Sequence, residues 1–301
     1  MTTTRTATSR NAGIGGDLTV SRIGYGTMRL SDTPDIPPTE AIVWRPPTPR
    51  ADAITILRHA VERGVQLIDT ADAYALGGSE ELIAEALHPY RDGVVIATKI
   101  GMTRPSPAEW VPVGHPAYLR QQAELSLRRL KVERIDLLQL HRIDSEVPLA
   151  DQIGALSQLQ QEGKVRHIGL SEVTVDQLRE ALQVAPIASV QNWYNLAHRE
   201  HEAVVDFTAE RGIAFLPFFP IAIGSHVTND SPVAKIASEI GVTPAQTALA
   251  WLLHRSPNIV PIPGTTSPKH LDENLGALDI ALTDEQIARL DAIAEQAEPG
   301  V

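Results

Sequence analysis

The segment LIDTADAYALGGSEELIAEAL, residues 67–87, ends an apolar run on a carboxylate, Asp69, and sets Tyr74 five residues further on in a loop of small residues. Two later apolar runs also end on groups that hold or move a proton: VVIATK on Lys99 and IDLLQLH on His141. A phenol, with an unperturbed pKa of about 10, is a reluctant acid at neutral pH unless its phenolate is stabilised. A lysine ammonium in a water-poor pocket does that, and a carboxylate bonded to the lysine fixes it in place and keeps it protonated. Asp69, Lys99 and Tyr74 together compose a proton donor, and His141 adds a hydrogen bond that orients the accepting oxygen. Taken singly, each has a structural alternative: a turn cap, a rim tyrosine, a solvated lysine and a satisfied core histidine.

These groups can meet only if the strands that carry them converge. From about residue 51 onward short apolar runs alternate with helical patterns, the mark of a parallel sheet built from crossover units. In ILRHAVERG, Ile54, Leu57 and Val61 recur at helical spacing and Gly64 stands where a C-terminal cap belongs, ahead of a strand over Val65 to Ile68. Further runs end near Ser171, Gln191, Leu216 and Ile262, and an earlier one lies near RIGYGTM, making eight with those at Asp69, Lys99 and His141. Between them lie amphipathic helices such as Leu149, Ile153, Leu156 and Leu159 ahead of Gly163. Thr174 with Gln177, Thr243 with Gln246 behind Pro244, and Thr283 with Gln286 read as capping boxes that start helices.

Eight such units predict an α/β fold, a closed (β/α)₈ TIM barrel forming one domain over residues 1–301, within a typical size of about 250 residues plus insertions. An open doubly wound sheet would want a glycine-rich turn between its first strand and helix, and IGYGTMRLSDTPDIPPTE has no GxGxxG. GIGGD, followed by LTVSR, reads instead as a β-hairpin that plugs the barrel bottom, and Thr283 opens a C-terminal helix. Long loops follow the first, third and seventh strands: 29–50, GMTRPSPAEWVPVGHP and PFFPIAIGSHVTNDS. All three belong on the face of strand C-termini, where such barrels carry their sites, and they imply a covered pocket.

The composition narrows the functions. A net charge of −11 over 301 residues argues against a sequence-independent grip on nucleic acid or anionic lipid. Without cysteine there is no disulfide, thiolate metal site or thiol nucleophile. No apolar run is long enough for a membrane span and the N-terminus lacks a signal-like core, so a cytoplasmic protein is expected. HREH places His198 and His201 three apart on an expected helix face, with no third ligand at useful spacing, so no metal site is expected.

With its motifs taken in order, the chain resembles the aldo-keto reductase superfamily over about residues 20–296: LIDTADAYALGGSEELIAEAL, VVIATKIG, IDLLQLHRID, VRHIGLSEV, SVQNWYN and IPGTTSPKHLDENLGA. The resemblance implies hydride transfer from a nicotinamide cofactor to a small-molecule carbonyl, with Asp69, Tyr74, Lys99 and His141 as the catalytic set. It implies that Ser171 and Gln191 hold the carboxamide, that Phe215 stacks on the nicotinamide ring and that Pro217 also contacts the cofactor. Gly264, Thr265, Thr266, Ser267 and His270 would face the 2′-phosphate ribose, and Glu273 and Asn274 the adenine. NADPH is implied ahead of NADH, although many relatives carry arginine or lysine where Thr266, Ser267 and His270 stand, and commonly read Ser-Asn where this chain has Ser171-Glu172. VQNWYNLAHR and PFFP resemble a bacterial branch that includes pyridoxal reductases. Trp44 and Trp110, with Trp193 beside them, are candidate walls of the substrate pocket. A monomer is implied. Two rivals stand beside this reading: a cofactor-sensing subunit with little turnover, and a lyase or isomerase using Lys99 as a Schiff base.

Overall fold

The computed structural model describes residues 9–31, 43–47, 49–221 and 231–296. The chain enters as an antiparallel hairpin, β1 (Asn11–Ile14) and β2 (Leu18–Ser21), turning through Gly15 and Gly16, whose φ angles of +63° and +84° suit glycine. Its inward residues Ala12, Ile14, Leu18 and Val20 pack on Leu67, Val95, Leu137 and Ala214 of the strands that follow. The hairpin therefore plugs the barrel, as its sequence implies.

Those strands are β3 (Tyr25–Gly26), β4 (Leu67–Asp69) and β5 (Val95–Ile100), then, past a small hairpin of β6 (Met102–Thr103) and β7 (Val111–Pro112), β8 (Ile135–Leu140), β9 (Val165–Ser171), β10 (Ser189–Gln191) and β11 (Ala214–Phe215). Apart from the β6–β7 pair they form one parallel sheet in chain order, β3 to β11. The expected eighth strand is an extended segment, 259–263, that closes the ring. Val260 N donates to Phe215 O (2.8 Å) and Ile262 N to Pro217 O (3.3 Å), while Gly24 N and Gly26 N donate to Pro261 O (2.9 Å) and Pro263 O (3.4 Å). The two prolines accept but cannot donate, so the ladder on that side carries half its usual bonds. A Cβ on Gly26 would lie 2.7 Å from Ile262 O, and one on Gly264 2.7 Å from Gly26 O, so only glycine lets these backbones meet.

Ten helices occur among the described residues: α1 (Arg50–Glu62), α2 (Gly78–Leu87), α3 (Pro116–Leu130), α4 (Leu149–Gln161), α5 (Val175–Leu182), α6 (Glu202–Glu210), α7 (Pro232–Ile240), α8 (Pro244–Arg255), α9 (Pro268–Gly276) and α10 (Asp284–Gln296). The fold is the expected (β/α)₈ barrel. The capping boxes at Thr174 and Thr243 form as read, and Thr283 and Gln286 bond reciprocally at the start of α10. On α1 the buried stripe is Ala53, Ile56, Leu57 and Ala60, with Ile54 and Val61 only half-buried at its edge, a rotation of the expected face.

Strand alternation sorts the side chains. Leu67, Val95, Ala97 and Leu137 fill the lower barrel, whereas Ile68, Ile96, Leu138, Ile168 and Val190 face the helices. The same period carries Asp69, Lys99, Gln139, His141, Ser171 and Gln191 inward at the top, where the interior changes from apolar to polar. Parts of the first and seventh loops, 32–42 and 222–230, lie outside the described residues.

Candidate active site

Lys99 is 1% exposed at the C-terminal end of β5 and spends its ammonium on three acceptors. Its Nζ lies 2.6 Å from Asp69 Oδ1, 2.8 Å from Thr70 O and 3.5 Å from Tyr74 Oη. Burial alone would lower the lysine pKa, but Asp69 and Tyr74 outweigh it and the net shift is upward, so the ammonium stays charged. Asp69 is held from its other side, with Oδ2 accepting from Gln191 Nε2 (2.8 Å) and Gln139 Nε2 (3.1 Å). The pair is buried, yet every polar contact needed to keep it there is made.

Tyr74 begins a turn in which Ala75 (φ +50°) and Leu76 (φ +54°) are left-handed ahead of Gly77 (φ +92°). Burial raises its pKa above 10.0, opposed by the charge of Lys99. Tyr25, also buried but with no cation to oppose burial, is driven far higher. The phenol is thus fully protonated at neutral pH, and its phenolate, once formed, faces a fixed ammonium. His141 is driven well below 6.5 by burial, then by Lys99, Arg142 and Arg104, so it is a neutral imidazole. Its Nδ1 is buried without a hydrogen-bond partner. Its ring meets that of Tyr74 edge-on, 6.0 Å between centroids.

These groups floor a cavity of about 590 Å³ at the top of the barrel. Asp69, Tyr74, Trp110, His141, Ser171, Gln191 and Gly264 line it, and Lys99 lies buried beside Asp69 and Tyr74. Gln191 commits both amide hydrogens, to Asp69 and to Gln139 Oε1 (3.3 Å), which leaves its oxygen as an acceptor at the cavity. Ser171 Oγ accepts from Arg142 Nη1 (2.9 Å), which also donates to His141 O (2.6 Å).

Several expected residues lie elsewhere. Phe215 is fully buried on the outer side of β11 against Tyr194 (5.7 Å), because Ala214 and Leu216, its neighbours in the alternation, take the inward positions. Pro217 is buried and serves barrel closure through its carbonyl. On this side of the barrel the rings that line the cavity are those of Phe218 and Phe219, which join Tyr74 and Trp110. Trp44 is not part of the lining; its ring centroid lies 5.5 Å from the guanidinium of Arg104. Trp193 is 41% exposed and stacks on His198 (4.0 Å) away from the cavity. His198 and His201 precede α6 rather than riding on it, and no cluster of metal-ligating side chains occurs among the described residues.

Glu172 turns from the cavity with φ +55°; its Oε1 accepts from Trp193 N (2.6 Å) and its Oε2 lies 3.7 Å from His201 Nε2. Asn192 is likewise spent on the backbone of Val173. The loop 263–267 leads into α9 with Ser267 as its N-cap and Thr265 Oγ1 accepting from Ser267 N (3.1 Å). Thr266 and His270 are exposed on this edge, Glu273 is half-buried and Asn274 buried. Sequence reasoning missed Arg29, Arg142, Phe218 and Phe219 in the lining and Lys269 on the first turn of α9. The PFFP loop and the arginine after His141 were visible signals for three of them.

Residues 22–295 match the family described as the Aldo/keto reductase family. An uncharacterized oxidoreductase of Schizosaccharomyces pombe is 43% identical over 92% of this chain and 87% of its own length. Pyridoxine 4-dehydrogenase of Escherichia coli is 42% identical over 93% of this chain and 97% of its own. Among solved structures, an aldo/keto reductase from Klebsiella pneumoniae in complex with NADP and acetate superposes with a TM-score of 0.79 at 28% identity, covering 97% of each chain.

Proposed function

The chain belongs to the aldo/keto reductase family, oxidoreductases acting on carbonyl groups, and on that premise we propose that it reduces aldehydes or ketones to alcohols with NADPH, Tyr74 supplying the proton. The observation that carries this is the buried Asp69–Lys99–Tyr74 chain at the floor of an apolar cavity, beside a neutral His141. The residues present fit a nicotinamide cofactor. Ser171 Oγ and the uncommitted oxygen of Gln191 would hold the carboxamide, and Phe218 or Phe219 takes the stacking role read for Phe215. Gly264, Thr265, Thr266, Ser267 and His270 would face the ribose phosphate at the N-terminal turn of α9, joined by Lys269, with Glu273 and Asn274 toward adenine. Lys269, on the first turn of α9, is the support for NADPH over NADH.

When bound, the reduced nicotinamide supplies the hydride. Tyr74 gives its proton to the oxygen as negative charge develops there, and Lys99 stabilises the phenolate left behind. Asp69 keeps Lys99 charged and aimed. His141, neutral and beside Tyr74, donates to the same oxygen and fixes its approach. The Escherichia coli relative supports pyridoxal-type aldehydes as candidates. We take the protein to act as a single-domain cytoplasmic monomer.

Titrating NADPH and NADH by fluorescence, then adding pyridoxal and simple aldehydes while following the reduced nicotinamide band, tests this directly. Tight NADPH binding with oxidation by a carbonyl is expected. Binding without turnover by any of them would favour a cofactor-sensing subunit, and no binding would overturn the cofactor assignment.

A further inference from the structure

Arg104 follows β6 and is 6% exposed, and it does not line the cavity. Its Nε donates to Glu109 O (2.9 Å) and its Nη2 to Pro107 O (2.7 Å), while Nη1 reaches Val43 O (3.3 Å) and Ala73 O (3.5 Å). One side chain thus joins the β3–α1 connection, the residue before Tyr74 and its own loop. Its guanidinium also lies 3.6 Å from the Trp110 ring centroid, with Trp44 at 5.5 Å. Trp110 does line the cavity, so its indole stands between this buried cation and the space where a substrate would lie. There it meets Tyr74 (6.4 Å) and His141 (6.1 Å) edge-on.

A planar cation bonded to several carbonyls cannot tilt freely, and an indole stacked on it inherits that orientation. We propose that Arg104 is a specificity-determining positioning residue: it clamps Trp110 as a fixed wall over Tyr74 and His141, and the wall discriminates planar ring-bearing carbonyls from short flexible ones. This rests on the carbonyl-reductase reading. A ring laid on a fixed indole gains buried area at little ordering cost, whereas a short chain leaves most of the wall uncovered. Among the described residues the Arg104 bonds run to the carbonyls of Glu109, Pro107, Val43 and Ala73, while Lys99 bonds Asp69 and Tyr74, so releasing the wall leaves the proton donor assembled.

The test compares kcat and KM for benzaldehyde and propanal in the wild type, Arg104→Met, Arg104→Lys, Trp110→Leu and the Arg104→Met/Trp110→Leu double variant, with NADPH Kd measured for each. Arg104→Met is expected to raise KM for benzaldehyde roughly tenfold, the scale of one desolvated cation–π contact, while KM for propanal and Kd for NADPH stay within about twofold. Arg104→Lys should restore part of the discrimination. Trp110→Leu should reproduce the loss, and the double variant should lose little more than either single one. Equal losses for both aldehydes, or additive losses in the double variant, would overturn the clamp. If Arg104→Met does not fold, the same cycle is read with Arg104→Lys, and unchanged discrimination in that variant would overturn the clamp equally. A wild type that reduces neither aldehyde removes this proposal together with the functional reading, a failure seen before any variant is compared.

Discussion

At the scale of single residues, Tyr74 and His141 titrate outside the neutral range, one raised above 10.0 and the other driven well below 6.5. Between those limits the phenol keeps its proton and the imidazole stays neutral. The rate of carbonyl reduction should therefore be flat from about pH 7 to 9 at saturating cofactor; a steep limb inside that window, measured as kcat/KM against pH, would show that one group titrates where the structure says it does not. Lys99→Met removes the ammonium bonded to the phenol and should cost about a hundredfold in kcat, checked by steady-state turnover with NADPH Kd as the control. That Asp69, Tyr74, Lys99 and His141 meet was legible in the sequence because each ends or follows a strand, and a barrel brings neighbouring strand ends to one cavity. Phe215 and Trp44 were not: IAFL is apolar at every position, so its alternation does not reveal which phase faces inward, and the buried arginine beside Trp44 is placed only by the folded loop.

At the scale of elements, the capped helix starts carry stability that can be measured. Thr243 accepts from Gln246 N (3.2 Å) while the Gln246 side chain accepts from Thr243 N (2.9 Å) at the head of α8. Thr243→Ala should cost about 1 kcal/mol, read as a shift in the denaturant midpoint, with NADPH affinity unchanged. The other end of α8 is capped from afar: buried Arg22 donates to Leu253 O (2.8 Å), Ser256 O (2.7 Å) and Ile259 O (3.3 Å). Arg22→Met strands carbonyls at a helix end and should cost more than the Thr243 change, about 2–4 kcal/mol. Helix starts were legible because their signal is local. The Arg22 contacts, more than two hundred residues away in the chain, and the proline-broken closing segment were not, since they depend on the ring having closed.

At the scale of the whole molecule, Asp291 of α10 accepts from Trp251 Nε1 of α8 (2.9 Å), and Glu202 ties α6 to α8 and to the loop before α6, accepting from Tyr194 Oη (2.8 Å), Arg199 Nε (2.5 Å) and Arg255 Nε (2.6 Å). Burial would raise its pKa, but these bonds outweigh it and lower it from 4.5 to about 2. A depressed carboxylate contributes stability that is complete above its unfolded pKa and is lost as pH falls toward its folded one. Unfolding midpoints should therefore decline between pH 4.5 and about 2, and Glu202→Gln should flatten that decline; an unchanged decline in the variant would place the acid sensitivity elsewhere.

The most direct measurement of the central claim is single-turnover oxidation of bound NADPH by an aldehyde in Tyr74→Phe beside the wild type. The variant should bind NADPH within about twofold of normal and react roughly 10²- to 10⁴-fold more slowly, the usual worth of a general acid. A near-normal rate in Tyr74→Phe would contradict the assignment of Tyr74 as proton donor.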